Sequence, residues 1–277
     1  MDFLAVDPRK CVRCGACVRD CAFGALKADV RGVPLLAAPE KCMRCQHCLA
    51  ICPTGAVTLD GKTAADCPSA VGAELPSPAA VRNWLALRRS VRSFADEDVA
   101  PDLIDGLLRT LGNTPTCCNA RHLTFTCFPD RAAMGEVRRR FLATLAAPHE
   151  RLLPRWLAVP ALRLRKGGQD IFFRGAAGML IVSSDTGHPA VTTPREDVTI
   201  ACSNFELLAN ANGIGTCWFG FLGMIESALP GFVETLTGIP RGHAFAAMLF
   251  GNPAVRYSRG VAREDYANIV YRRAVAE

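Results

Sequence analysis

Eight cysteines fall in two short runs near the start of the chain: Cys11, Cys14, Cys17, Cys21 and Cys42, Cys45, Cys48, Cys52. Each run reads C-x2-C-x2-C-x3-C, and the second ends in Cys52-Pro53. Three thiolates on one short loop can hold three corners of a cubic iron–sulfur cluster. The fourth Cys of each run then ligates the other cluster, which ties both loops into one unit. This spacing assigns Cys11, Cys14, Cys17 and Cys52 to one 4Fe-4S cluster, and Cys42, Cys45, Cys48 and Cys21 to a second. Zinc also takes C-x2-C pairs, but two triplets plus a fourth Cys overshoot the four ligands it needs. A disulfide framework is allowed by count alone, yet sulfurs three residues apart suit a metal better than a staple.

The flanks repeat as well. Lys10-Cys11 to Ala25-Leu26 and Lys41-Cys42 to Ala56-Val57 superpose at a fixed offset of 31 residues, which marks an internal duplication. Gly24 and Gly55 fall at equivalent positions, where a loop must turn sharply. The segment from about residue 2 to residue 60 resembles bacterial two-cluster ferredoxins. It departs from them at Cys21-Ala22, where the family usually has Pro; that changes a turn but removes no ligand.

At 277 residues the chain is too long for such a module alone. The 217 residues after position 60 suffice for a second buried core. Half of the residues are hydrophobic and 21% are charged, an ordinary globular composition. No apolar run reaches the length of a membrane span, and Ala244 to Phe250 fits a buried strand. Asp2 and Asp7 leave no secretory signal ahead of Cys11. Eight thiols spaced for iron and six more scattered along the chain suit a reducing cytoplasm. The net charge is +6, and residues 1–60 carry eight Lys/Arg against six Asp/Glu. A basic cluster module favours an acidic, ferredoxin-type electron donor through electrostatic steering. Nucleic acid is not expected, because the basic residues are interspersed and aromatics make up only 7%. Arg138-Arg139-Arg140 reads as a solvated helix face.

The pattern predicts a cluster domain over residues 1–60, a linker over 61–77 and a second domain over 78–277. Ser77-Pro78 reads as an N-cap with Pro in the first turn, opening a helix with Val81, Trp84, Leu85 and Leu87 on its apolar face. Further helices are expected over Pro101 to Leu111, Glu136 to Leu145 and Glu196 to Asn212. Strands are expected over Leu123 to Phe128, Ala177 to Ser183 and Ala244 to Phe250, with Asn113 to Asn119 a loop. Pro148 to Gly168, with five Pro or Gly punctuators, reads as an irregular insertion. Pro148 to Phe173 is then a candidate lid, with Phe172 and Phe173 near a substrate. Helices and strands mix without regular alternation, which predicts an α+β fold.

Arg88, Arg89, Ser90 and Arg92 place three guanidiniums and a hydroxyl within five residues. Arginine forks match phosphate oxygens in pairs, although Arg at a helix end also complements the helix dipole. The run Arg-Arg-Ser-Val-Arg-Ser-Phe resembles the opening motif of the nitroreductase family. Three more matches follow in order: Pro115 to Asn119; Asp197 to Gly220, with Gly213, Gly215, Thr216, Cys217, Trp218 and Gly220; and Gly251-Asn252-Pro253 through Arg256, Tyr257, Arg259 and Arg263. The resemblance covers about residues 80–265. It implies an α+β sandwich with a central, mainly antiparallel sheet flanked by helices. It also implies an FMN cofactor at a homodimer interface. Arg88, Ser90 and Arg92, helped by Arg89, would hold the FMN phosphate. Arg256 and Arg259 would approach it from the other end of the chain, with Arg263 the weaker candidate. Asn119 would bond the pyrimidine edge of the ring. Thr216, Cys217 and Gly220 would bring backbone N–H groups near it. The family's Gln-Pro-Trp after the Asn turn is replaced by Arg121-His122-Leu123, which alters the surroundings of the ring; His122 could contact substrate or satisfy a local bond. Cys117-Cys118 reads as a pair of small thiols, with a redox-active pair as the sharper alternative. His47, between Cys45 and Cys48, is expected to tune a cluster's surroundings.

Together these features imply an oxidoreductase in which clusters feed FMN from reduced ferredoxin or NAD(P)H. The acceptor would be a nitroaromatic, a quinone or an activated double bond, and no side-chain nucleophile is needed because the flavin N5 performs the chemistry. The alternative is an electron-transfer or redox-sensing subunit with no small-molecule substrate of its own.

Overall fold

The computed structural model describes residues 3–146, 153–187, 191–263 and 267–272. The chain divides into two compact units. The first takes in residues 1–75 together with 116–121, and the second takes in 76–115 and 122–277.

The first unit is built on its sequence repeat. Strand β1 (Leu4–Val6) pairs antiparallel with β4 (Val57–Leu59), and β2 (Leu26–Ala28) with β3 (Pro34–Leu36). Each half therefore lends its first strand to the last strand of the other. The loops exchange in the same way: the Asp7 N–H donates to the Ala56 carbonyl, and the Ala38 N–H to the Ala25 carbonyl. Between the strands lie one-turn helices, α1 (Ala16–Arg19) and α2 (His47–Ala50). Their N-caps, Gly15 (φ 69°) and Gln46 (φ 64°), are equivalent in the repeat and both left-handed. Arg13 (φ 57°) and Arg44 (φ 51°) form a second such pair. Side chains other than glycine enter this region only against steric cost, so the cysteine loops impose it. Leu4, Leu26 and Leu59 form a small core with Cys17.

The second unit is a four-stranded antiparallel sheet between two layers of helices. Its strand order is β5 (Leu123–Phe128), β6 (Gly178–Ser184), β8 (Ala244–Gly251), β7 (Gly215–Trp218). Strand β6 is buried on both faces, and its alternation divides the core. Met179 and Ile181 face helices α5 (Arg131–Thr144), α6 (Arg155–Arg165), α8 (Gly220–Ala228) and α9 (Phe232–Thr237). Leu180 and Val182 face α4 (Pro101–Thr110) and the long α7 (Pro194–Ala211). This is the expected α+β sandwich. Helix α3 (Pro78–Leu87) opens as expected, with the Ser77 hydroxyl accepting the Ala80 N–H at 3.1 Å. Its apolar face is uncovered: Val81, Leu85 and Leu87 are all exposed.

Three expectations are corrected. Residues 155–165 are not irregular but form α6, which carries Pro160 inside it and buries Leu157 and Ala161. Leu157 and Ala161, four residues apart on one helix face, outweigh one missing N–H when a core receives them. Phe172 and Phe173 are not at a substrate mouth; both rings are buried against Phe141, at 5.0 Å between centroids. Residues 147–152 of the candidate lid lie outside the described residues. Arg138 is not simply solvated, since its guanidinium pairs with Asp170 at 3.0 Å and lies over the Phe173 ring.

Candidate functional site

In the first unit the eight thiols surround two cavities. One is lined by Cys11, Cys14, Cys17 and Cys52, the other by Cys21, Cys42, Cys45 and Cys48. The last Cys of each run has thus changed places. Among the described residues no three Cys, His, Asp or Glu side chains converge on the point that a single ion would occupy. Four sulfurs spread around an apolar hollow suit a larger, cubic group, and these residues fit it. Burial raises the Cys17 thiol and pushes that of Cys48 up to about 11. For Cys52 burial works in the same direction, but N–H groups outweigh it and lower the thiol. The Ala56 N–H donates to the Cys52 sulfur at 3.2 Å. His47 lies 3.2 Å from the Asp20 carboxylate.

Residues 116–121 belong to this unit. Cys118, Asn119 and Arg121 all have φ between 50° and 53°. The Asn119 amide donates to the carbonyls of Met43 at 2.9 Å and Arg44 at 3.1 Å. Both donors of that amide therefore face the cysteine loop, where the resemblance had set them on a flavin edge. Cys117 and Cys118 place their sulfurs 3.8 Å apart. Sharing a hydrogen bond with Cys117, and lying beside that second titrating sulfur, raises the Cys118 thiol, the reverse of an activated thiolate.

In the second unit three distant motifs meet at one edge of the sheet. Ser90 bridges Thr216 in parallel, and the Val91 N–H donates to the Thr216 carbonyl at 2.8 Å. Phe94 bridges Pro253, and the Tyr257 hydroxyl donates to the Ser90 carbonyl at 3.3 Å. Gly215 has no Cβ because Val91 occupies that space, at 2.8 Å from where it would stand.

The arginines differ in what they face. Arg88 donates to the buried Glu206 at 2.9 Å and is only a quarter exposed. Arg89 lends Nη2 to the Ala86 carbonyl at 3.3 Å, while among the described residues its buried Nε has no partner, nor has the buried Trp84 Nε1. Arg92, Arg256, Arg259 and Arg263 are exposed. Burial raises the Cys217 thiol against the pull of the nearby Arg92 charge. Buried donors with no partner among the described residues, beside exposed guanidiniums, fit an anionic group such as the FMN phosphate. Thr216 is fully buried, its hydroxyl held between Asn210 at 3.1 Å and Glu206 at 3.4 Å. Gly220 opens α8.

Glu206 and Asn210 are the residues that motif reading missed. One signal was available: a carboxylate at position 206 interrupts the buried stripe of Ala201, Cys202, Phe205 and Ala209, and a buried acid requires a partner.

The fold and the thiol cavities define a class: an antiparallel α+β sandwich carrying a cysteine-rich cluster module. Comparison with known families agrees. The nitroreductase family model matches residues 85–252, more than half of the chain, and a 4Fe-4S dicluster domain matches residues 3–53. The chain belongs to the nitroreductase family and bears an N-terminal 4Fe-4S dicluster domain. Among solved structures it is similar to a nitroreductase with bound FMN from Bacteroides fragilis (TM-score 0.54, 19% identity, covering 69% of this chain and 98% of that one). It is also similar to an FMN-dependent nitroreductase from Clostridium difficile R20291 (TM-score 0.51, 18% identity, 70% and 99% covered). No curated protein matches the chain significantly.

Proposed function

We propose that this chain is an iron–sulfur flavoprotein oxidoreductase that draws electrons from reduced ferredoxin or NAD(P)H and reduces a small organic acceptor, such as a nitroaromatic, a quinone or an activated double bond. The observation that carries the reading is the union, in one chain of this family, of two four-thiol cavities with an arginine-rich sheet edge. When bound, two 4Fe-4S clusters carry electrons singly and FMN collects and delivers them in pairs. The chain's residues bind and orient these groups. Cys11, Cys14, Cys17 and Cys52 hold one cluster; Cys42, Cys45, Cys48 and Cys21 hold the other. Arg89 and Arg92, with Arg256 and Arg259 from the C-terminal segment, attract the phosphate, while Ser90 lies between them on the strand-like run beside Thr216. Arg88 acts one step back, since Glu206 neutralises it and ties its segment to α7.

A homodimer is part of the proposal. Val81, Leu85 and Leu87 on α3, and Ile269, Val270 and Tyr271 near the C-terminus, are exposed apolar side chains. Apolar side chains clustered on one exposed helix face suit a second protein surface. Among the described residues no helix is long and apolar enough to cross a membrane.

The test is an anaerobic absorbance titration of the reconstituted protein with NADH, NADPH and reduced ferredoxin in turn. Flavin and cluster bleaching are followed separately, and then nitroaromatic or quinone is added. Reoxidation of the flavin by the acceptor is expected. Flavin that stays reduced would instead identify an electron-transfer subunit.

A further inference from the structure

We propose that Asn119, a residue distant in sequence from both cysteine runs, is a positioning residue for the second cluster and sets its reduction potential. The inference rests on the reading that the thiol cavities hold iron–sulfur clusters. Its basis is the pair of bonds from the Asn119 amide to the Met43 and Arg44 carbonyls, at 2.9 and 3.1 Å. Those two carbonyls belong to the only residues between Cys42 and Cys45, ligands lining the same cavity.

Both ends of the contact are held in place. Arg44 is left-handed, and its guanidinium pairs with Asp60 at 3.0 Å and lies 4.3 Å over the Phe3 ring. On the other side, the turn carrying Asn119 is closed by Thr116. Its carbonyl accepts the Asn119 N–H at 3.0 Å, and its hydroxyl accepts the Arg121 N–H at 3.0 Å. Asn119 itself has φ 53°, a conformation that asparagine tolerates better than most side chains. A turn with three left-handed residues among six persists only where surrounding bonds over-determine it, and such strain gathers at functional positions. The repeat supplies a comparison. In the first run the equivalent residues are Val12 and Arg13, and among the described residues no side-chain amide reaches their carbonyls. The two otherwise duplicated loops thus differ at this contact.

The physical consequence has a sign. Carbonyl oxygens are the negative ends of dipoles, and reduction adds negative charge to a cluster. Donors that bind those oxygens offset part of their field, so they favour the reduced form. Removing the amide therefore lowers the potential of the second cluster, and replacing it with a carboxylate lowers it further.

The experiment uses the full-length reconstituted protein, with Asn119→Gly and Asn119→Asp. Glycine accepts the backbone conformation, and aspartate keeps the side-chain shape without the donors. Iron and sulfide content establish loading, and redox titration followed by electron paramagnetic resonance reads each cluster. A Cys14→Ala background isolates the second cluster's signal. The expected result is that, at a fixed ambient potential, the ratio of reduced to oxidised second cluster falls about tenfold in Asn119→Asp, or about 59 mV for one electron. A smaller fall in the same direction is expected for Asn119→Gly, with the first cluster unmoved. A loaded wild-type protein whose second-cluster potential is the same in both variants overturns the proposal alone. A wild-type protein that takes up no cluster overturns it together with the reading beneath it.

Discussion

Arg88 and Glu206 stand 118 positions apart, and the bond between them is among the most consequential single contacts of the second unit. Glu206 is nearly buried and also receives the Thr216 hydroxyl, so truncating either charge strands the other in a poorly solvated place. Glu206→Ala is expected to cost about 3 kcal/mol, seen as a lower urea midpoint at unchanged slope. Cys202 provides a pH test. Burial on α7 lifts its thiol from 9.0 to about 12. The folded chain therefore holds a proton that the unfolded chain releases above pH 9. Stability contributed by this group is complete below pH 9 and is lost as the pH rises towards 12. Wild-type protein should lose more stability between pH 8 and pH 10.5 than Cys202→Ala does, and paired denaturant titrations at the two pH values check this.

At the scale of elements, the sheet depends on one absent side chain. A Cβ on Gly178 would overlap the Phe250 ring and stand 2.7 Å from the Phe128 carbonyl. Gly178→Ala must therefore part β6 from β5 and β8. A loss of about 1–3 kcal/mol is expected, with faster amide exchange along β5 as the measurement. Most elements of this unit were legible in the sequence. Strand β5 spans the residues its alternation suggests, and α7 and β8 differ by a residue or two at their ends. Hydrophobic period is a local property, and the core it faces preserves it. Helix α6 was not legible, because Pro160 and the Gly pair after it are strong local breakers. What overrides Pro160 is the core around Phe141 that Leu157 and Ala161 join, a fact of packing rather than of propensity, and the helix ends before the Gly pair.

At the scale of the whole molecule, α3 is the element that a single chain leaves unfinished. It is well capped, yet it buries no residue. If a second copy covers Val81, Leu85 and Leu87, Leu85→Glu places a charge in that contact. Multi-angle light scattering should then show the mass falling from that of a dimer towards that of one 29.8 kDa chain. A wild-type protein already monomeric at micromolar concentration would refute the dimer. Within the first unit, a segment from positions 116–121 bonds to the loop between Cys42 and Cys45. A fragment ending at residue 75 therefore lacks that bond.

The cysteine spacing by itself determined the grouping of thiols around two hollows, since ligands three residues apart can only share a loop and the crossed fourth Cys follows from the repeat. It also marked the arginine motif and the order of most elements. Tertiary structure alone decided what those arginines and Asn119 touch. Arg88 meets a carboxylate of α7, and Asn119 meets a carbonyl 76 residues away. Such pairings depend on sheet register, on which helix face is buried and on where a strained turn comes to rest, and no short-range pattern carries that information.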